Sequence, residues 1–196
     1  MKILLLLFVW TATAAIPYRI VKNLMDAAEC QKVIDYIETN VDDDPRITSP
    51  VDSHTEFAAW MNTGHIIDLF GMADALKVAQ VPKLIEPEAH LGEFSCFGRR
   101  FNNSTRADIK LHTDLNAWTM NVALNNHSEY DGGDLIYKQP GEDLHNLQRE
   151  AGEAFVYAHT VEHGVLPVTS GSRYSLLCFY WERGQQKNTH RRKRPE

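Results

Sequence analysis

The sequence predicts an α+β fold, in which a helical N-terminal portion buttresses a sandwich of short strands. Three observations carry this. Residues 26–40, DAAECQKVIDYIETN, place Ala28, Val33, Ile34 and Ile37 at helical spacing with Tyr36 beside them, and Asp26 stands where an N-cap belongs. From about Gly92 the character changes: segments rich in Phe, Val, Ile, Tyr and Trp alternate with the turn clusters FNNST, NNHSEYDGGD and PVTSGS. Helices first and strands afterwards is the order expected of a layered α+β domain.

The chain opens with MKILLLLFVWTATAA, in which Lys2 precedes an apolar run from Ile3 to Trp10 and Ala12-Thr13-Ala14 forms a small-x-small site. The run falls short of the ~20 residues that span a bilayer. Residues 1–15 therefore read as a cleavable signal peptide that leaves no stable membrane span, and the expected location is the secretory pathway, ER lumen or secreted. After the helix at 26–40, Val41, the acidic run 42–44 and Pro45 form a solvated loop. A second helix is expected over 63–78, where Ile66, Ile67, Leu69, Phe70, Met72 and Leu76 recur despite Gly71; Pro82 and Pro87 punctuate the stretch beyond it. This divides the chain into a leader (1–15), a helical support region (16–91), a strand-rich domain (92–183) and a basic tail (184–196). The tail gathers Lys187, Arg191, Arg192, Lys193 and Arg194 and reads as a solvated end.

At 196 residues, with 43% hydrophobic and 23% charged, the chain is long enough for one domain with a sizeable core. Its formal net charge of -6 argues against a nucleic-acid surface. Cys30, Cys96 and Cys178 permit one disulfide with a thiol left over, or three buried thiols; their spacing does not choose. In a secretory compartment the sequons at Asn102, Asn103 and Asn126 would be candidates for glycosylation.

Chemistry concentrates in LHTDLNAW, residues 111–118. On a strand, His112 and Asp114 leave the same face, with Cα atoms about 6.6 Å apart. Both tips can then converge on one ion, provided a further ligand arrives from elsewhere. His163 is the candidate: the strand Ala154–Ala158 leads towards it, the segment 164–168 follows, and a TSGS turn precedes a strand that begins at Arg173. This antiparallel arrangement would bring His163 and Arg173 to the same end of a barrel. Two histidines and one carboxylate form the facial triad of non-haem Fe(II) oxygenases, whose open positions admit co-substrate and O2. Arg173 meets a separate need, since a dicarboxylate that chelates iron at one end requires an arginine fork at the other.

These residues carry a resemblance. His112-x-Asp114, His163, and Arg173 ten residues later are similar to the motif of the Fe(II)/2-oxoglutarate dioxygenases of prolyl and lysyl hydroxylase type. WTMNVALN (118–125), YDGGDLIY (130–137) and HGVLPVTSGSRY (163–174) most resemble the procollagen lysyl hydroxylase catalytic domain. The similarity covers roughly residues 92–183. It implies a double-stranded β-helix, or jelly roll, with N-terminal supporting helices, and a site in the mouth of the barrel. It further implies Fe(II) on His112, Asp114 and His163, 2-oxoglutarate on Arg173, O2, and ascorbate. The expected reaction is hydroxylation of a prolyl or lysyl side chain in a secretory-pathway protein. Some relatives place a tyrosine on the strand after the HxD to hold 2-oxoglutarate; here the nearest positions are Asn121 and Ala123, and Asn121 is the candidate substitute. Val165 shares the face of His163, and Ser175 shares that of Arg173, so both are candidate co-substrate contacts. The helices and the loop 102–106 are expected to shape the entrance.

Rival readings are a small-molecule oxygenase, a secreted binding module without activity, and a zinc peptidase. The last rests on His159-Thr160-Val161-Glu162-His163, an H-x-x-E-H motif that needs a helix. Gly164 and Pro167 oppose one.

Overall fold

The computed structural model describes residues 17–44, 46, 48–49 and 51–184. The expected signal peptide and the basic residues from 185 onward lie outside the described residues. Twelve strands and two helices follow in chain order: β1 Tyr18–Val21, α1 Ala27–Asn40, β2 Ala58–Met61, α2 Thr63–Gln80, β3 Leu91–Phe101, β4 Ile109–His112, β5 Trp118–Ala123, β6 Tyr130–Gly132, β7 Leu135–Lys138, β8 His145–Leu147, β9 Ala154–Ala158, β10 Glu162–Val165, β11 Val168–Gly171 and β12 Arg173–Glu182. A six-stranded sheet runs β1-β9-β5-β12-β3-β2, a four-stranded sheet β4-β10-β7-β8, and β11 pairs with β6. Every pairing is antiparallel. The fold is the expected jelly roll with supporting helices from the N-terminal region, mostly β with few helices. The region before Gly92 also supplies strands: β1 joins β9 and β2 joins β3 in the larger sheet.

Helix α1 begins as its sequence demands. The Asp26 carboxylate accepts from the Glu29 N–H at 2.8 Å, and the Glu29 carboxylate accepts from the Asp26 N–H at 2.7 Å, a complete capping box. Helix α2 is interrupted at Gly71, whose φ of 75° and ψ of 164° break the helical path. Both helices pack on the outer face of the six-stranded sheet. Cys30, Val33 and Ile37 of α1, with Ile66, Ala75 and Val78 of α2, meet Cys96, Met120, Val122, Leu176 and Cys178 in one core. The contact is tight enough to require Gly98: a Cβ there would lie 2.2 Å from Ile37 Cγ1. None of the described helices is long and apolar enough to cross a membrane.

Strand alternation sends the other residues inward: Phe97, Arg99 and Phe101 on β3, Thr119 and Asn121 on β5, Phe155 and Tyr157 on β9, Arg173, Ser175 and Leu177 on β12. The helices are thus on the far side of the sheet from this face, which corrects the expectation that they shape the entrance. The segment that approaches the inner face instead is the one around Asp52 and Glu56. It is anchored by two buried ion pairs, Arg106–Asp52 at 2.6 Å and Arg99–Glu56 at 3.3 Å. Cys96 and Cys178 stand opposite each other on β3 and β12 and form a disulfide, leaving Cys30 a buried thiol. All three sequon side chains are engaged: Asn102 Oδ1 accepts from Ser104 and Thr105, Asn103 Nδ2 donates to the Thr169 carbonyl at 3.1 Å, and Asn126 Oδ1 accepts from the Ala151 N–H.

Two local expectations differ. The TSGS stretch is not a bare turn, because Thr169, Ser170 and Gly171 belong to β11. Nor are the segments bearing His163 and Arg173 antiparallel neighbours: β10 pairs with β4 and β7, whereas β12 pairs with β3 and β5. The two residues sit on facing sheets, with β11 crossing between them.

Candidate metal centre

His112 ends β4 and His163 lies on β10, directly opposite it in register, with ring centroids 4.3 Å apart. Asp114 lies just beyond the end of β4, so it reaches the site from the turn after the strand rather than from the strand face. Its Oδ1 is 3.6 Å from His112 Nε2 and its Oδ2 is 3.5 Å from His163 Nε2. The three groups offer ligand atoms that all lie within 4.8 Å of one another. Each ring is oriented through its other nitrogen: Nδ1 of His112 is 2.7 Å from the Lys110 carbonyl, and Nδ1 of His163 is 3.3 Å from the Val161 carbonyl. A carbonyl accepts only, so Nδ1 carries the proton and Nε2 keeps its lone pair for a metal. Burial, and then the neighbouring charge of His163, lowers the His112 pKa, which favours the neutral form that can bind a metal.

Asp114 is held in turn. Thr119 Oγ1 donates to Asp114 Oδ2 at 2.6 Å, and Asn116 Nδ2 donates to Thr119 Oγ1 at 2.9 Å and to the Trp118 carbonyl. The polar alternation Thr119-x-Asn121 in an otherwise apolar strand is the sequence signal that would have exposed Thr119.

Across the barrel, Arg173 is 3% exposed, with its guanidinium 5.3 Å from the Phe101 ring centre. Both of its Nη atoms are buried without a hydrogen-bond acceptor, and so is Ser175 Oγ. Burial pushes the Arg173 pKa down, with Tyr130 the main group opposing that shift. Tyr130 forms an apolar cluster with Phe101, Ile109, Val165 and Val168, and Phe101 lies against the Arg173 guanidinium. Gly133 makes room for the arginine: its φ is 66°, and a Cβ there would come within 3.2 Å of Arg173 Cδ. Beside the triad, on the sheet that also carries Arg173, stands Tyr157, which sequence reasoning missed. It is fully buried, with its ring 4.5 Å from that of His163. Its hydroxyl lies towards Thr119 and Asp114 without reaching hydrogen-bond geometry to either.

Asn121 faces inward as expected, but its Oδ1 is occupied by Arg149 Nη2 at 2.9 Å. His159 is exposed in a turn and His163 is on a strand, so H-x-x-E-H never shares a helix face here. Asp52, His54 and Asp108 also cluster, yet Asp52 is already neutralised by Arg106.

The residues fit the groups that the motif implies. Two bare imidazole nitrogens and a carboxylate suit Fe(II), and a buried guanidinium with both fork nitrogens free suits a carboxylate. A jelly roll that holds this triad against one sheet and an arginine fork on the other is an arrangement that suits a non-haem Fe(II) oxygenase. Comparison with known proteins points the same way: residues 96–181 match the 2OG-Fe(II) oxygenase superfamily, whose members work with Fe(II) and 2-oxoglutarate. Similar relatives include a PKHD-type hydroxylase of Cupriavidus pinatubonensis, 32% identical over 53% of this chain and 45% of the relative. A PKHD-type hydroxylase of a Psychrobacter species is 34% identical over 52% of this chain and 40% of its own length. The chain thus spans about half the length of the curated relatives it matches. Among solved structures, a Pseudomonas putida prolyl-4-hydroxylase superposes with a TM-score of 0.65 at 17% identity, over 86% of this chain and 94% of that one. A Trichoplax adhaerens prolyl hydroxylase in complex with a hypoxia inducible factor peptide fragment gives 0.62 at 14% identity, over 85% and 84%. Both likenesses concern the fold.

Proposed function

We propose that this protein is an Fe(II)- and 2-oxoglutarate-dependent dioxygenase that hydroxylates a prolyl or lysyl side chain of a peptidyl substrate. The observation that carries the reading is the Arg173 fork, buried and without an acceptor, facing the triad across the barrel. A buried guanidinium lacking a counter-charge is expensive, and a ligand carboxylate removes that cost. The hydroxylase relatives and the prolyl hydroxylase fold support the reaction class. The lysyl alternative rests on the motif resemblance, and the secretory location rests on the leader sequence.

When bound together, Fe(II), 2-oxoglutarate and O2 supply an oxidation that places one oxygen atom on a C–H bond and releases succinate and CO2. His112 and His163 present Nε2, and the two backbone carbonyls behind them fix ring orientation and tautomer. Asp114 completes the set while Thr119 restrains its carboxylate. Arg173 takes the far carboxylate of the co-substrate, with the Ser175 hydroxyl beside it on the same strand face. Val165, Phe101 and Tyr130 keep water from that end, which strengthens the ion pair.

The test incubates Fe(II)-loaded protein with 2-oxoglutarate, ascorbate as reductant, and a library of proline- and lysine-containing peptides. Succinate release coupled to peptides heavier by one oxygen atom is the expected result. Succinate formed only with small molecules would refute the peptidyl substrate, and no succinate under any condition would refute the oxygenase reading.

A further inference from the structure

Arg149 belongs to no motif and lies in the coil between β8 and β9, yet it is only 4% exposed. From that coil it reaches the inner face of β5. Its Nη1 donates to the Asn121 and Glu153 carbonyls, and its Nη2 donates to Asn121 Oδ1 at 2.9 Å. A guanidinium has five N–H donors. Three are engaged here, every one by an uncharged acceptor. Among the described residues, neither Arg149 nor Arg173 forms an ion pair with a carboxylate.

The two arginines meet the inner face of the same sheet on neighbouring strands: Asn121, which holds Arg149, pairs with Leu177 of β12, the strand that begins at Arg173. Burial pulls the Arg149 pKa down to about 9, and the charge of Arg173 is the next largest cause. Tyr130 and Tyr157 are among the groups acting electrostatically on both guanidiniums, and Tyr157 in turn borders Asp114. A pocket that encloses two guanidiniums and no carboxylate bound to either is set for an anion of more than one charge. Asn121 adds a geometric constraint. With Oδ1 committed to Arg149, its Nδ2 is the amide group left to face a ligand.

We propose that Arg149 is the second cation of the co-substrate pocket, selecting dianionic over monoanionic 2-oxo acids and fixing the Asn121 amide against which the ligand lies. This rests on the reading of Arg173 above. It makes Arg149 a positioning and selectivity residue whose charge acts at a distance, since the Asn121 side chain stands between it and the ligand.

Isothermal titration of the full chain loaded with Mn(II) tests this, using 2-oxoglutarate and 2-oxobutanoate as ligands. The second has the same keto-acid head and no far carboxylate. Arg149→Gln is expected to weaken 2-oxoglutarate binding by about tenfold or more while leaving 2-oxobutanoate within about twofold. Arg149→Lys keeps the charge and loses the fork, so 2-oxoglutarate should weaken only about two- to fivefold, with 2-oxobutanoate again unchanged. If the glutamine variant does not fold, the same split in the lysine variant decides. Equal weakening of both ligands would reduce Arg149 to a scaffold for β5, and no weakening of either would remove it from the pocket; each overturns the proposal. Arg173→Gln separates the two readings. If it leaves 2-oxoglutarate binding unchanged, the assignment of the pocket itself fails; if it weakens binding while Arg149→Gln does not, only the role of Arg149 falls.

Discussion

Thr119 offers a sharp test of how the metal ligands are held. It is 1% exposed, and its hydroxyl donates to Asp114 Oδ2 at 2.6 Å. Replacing it with valine removes that donor while keeping the branched shape, and Asn116 Nδ2 retains the Trp118 carbonyl as an acceptor. A hydrogen bond to a charged group contributes about 1.5–3 kcal/mol. At about 1.4 kcal/mol per factor of ten, that corresponds to roughly a ten- to hundredfold loss in metal affinity. The usual cost of deleting a partner that orients a metal ligand has the same size, about 10–100-fold. Titration of the apoprotein with Co(II) or Mn(II), alongside a thermal melt, measures both consequences. Thr119→Ser, which restores the hydroxyl, should recover most of the affinity. A folded Thr119→Val protein binding metal within about twofold of wild type would show that the hydroxyl does not hold the carboxylate.

Gly133→Ala should lower stability in urea denaturation by about 1–3 kcal/mol, because φ is positive there and the new Cβ would lie 2.8 Å from Val168 Cγ2. It should also weaken 2-oxoglutarate binding through Arg173 Cδ, and unchanged affinity would show that the glycine does not set the arginine's position. Under non-reducing conditions a thiol reagent should find one cysteine after unfolding and none quickly in the native protein, since Cys96 and Cys178 are bonded and burial raises the Cys30 pKa to about 11. At pH 8 that leaves roughly 0.1% thiolate, and rapid native labelling would contradict the burial. The lowered His112 pKa predicts a sign for metal binding: the His112 proton competes only below the ordinary histidine value of 6.5. Mn(II) affinity should therefore hold steady from about pH 8 to 6.5 and fall below it, whereas losses beginning above about pH 7 would reverse the assignment.

The residues that sequence reading found are those whose chemistry depends on type and spacing. His112, Asp114, His163 and Arg173 are of types few other side chains can replace in such a pattern, and Asp26 stands as N-cap directly before the helical spacing of α1. What it missed depends on where distant strands meet. Nothing local marks Tyr157 as a neighbour of the triad, because that depends on β9 pairing with β5. Arg149 is invisible for the same reason, since a coil residue enters the barrel only once β8 and β9 are placed. The helices were legible as helices, but the sheet face they cover is settled by Gly98 beneath Ile37, a contact between elements more than fifty positions apart. The expectation that β10 and β12 would be neighbours failed because β11 takes the chain from one sheet to the other.

The disulfide on the outer face has a mechanical consequence. His112, Asp114, Arg149, Tyr157, His163 and Arg173 all fall inside the 82-residue separation between Cys96 and Cys178. Tension applied at the two ends of the chain would enter at Cys96 and leave at Cys178, passing across the sulfur bridge and bypassing the metal centre. Pulling would peel away the helices and the edge strand β1 while the loop stayed closed, withholding about 270–300 Å of extensible length. The machinery is therefore enclosed in a covalent ring, and force can open it only after that bond is reduced.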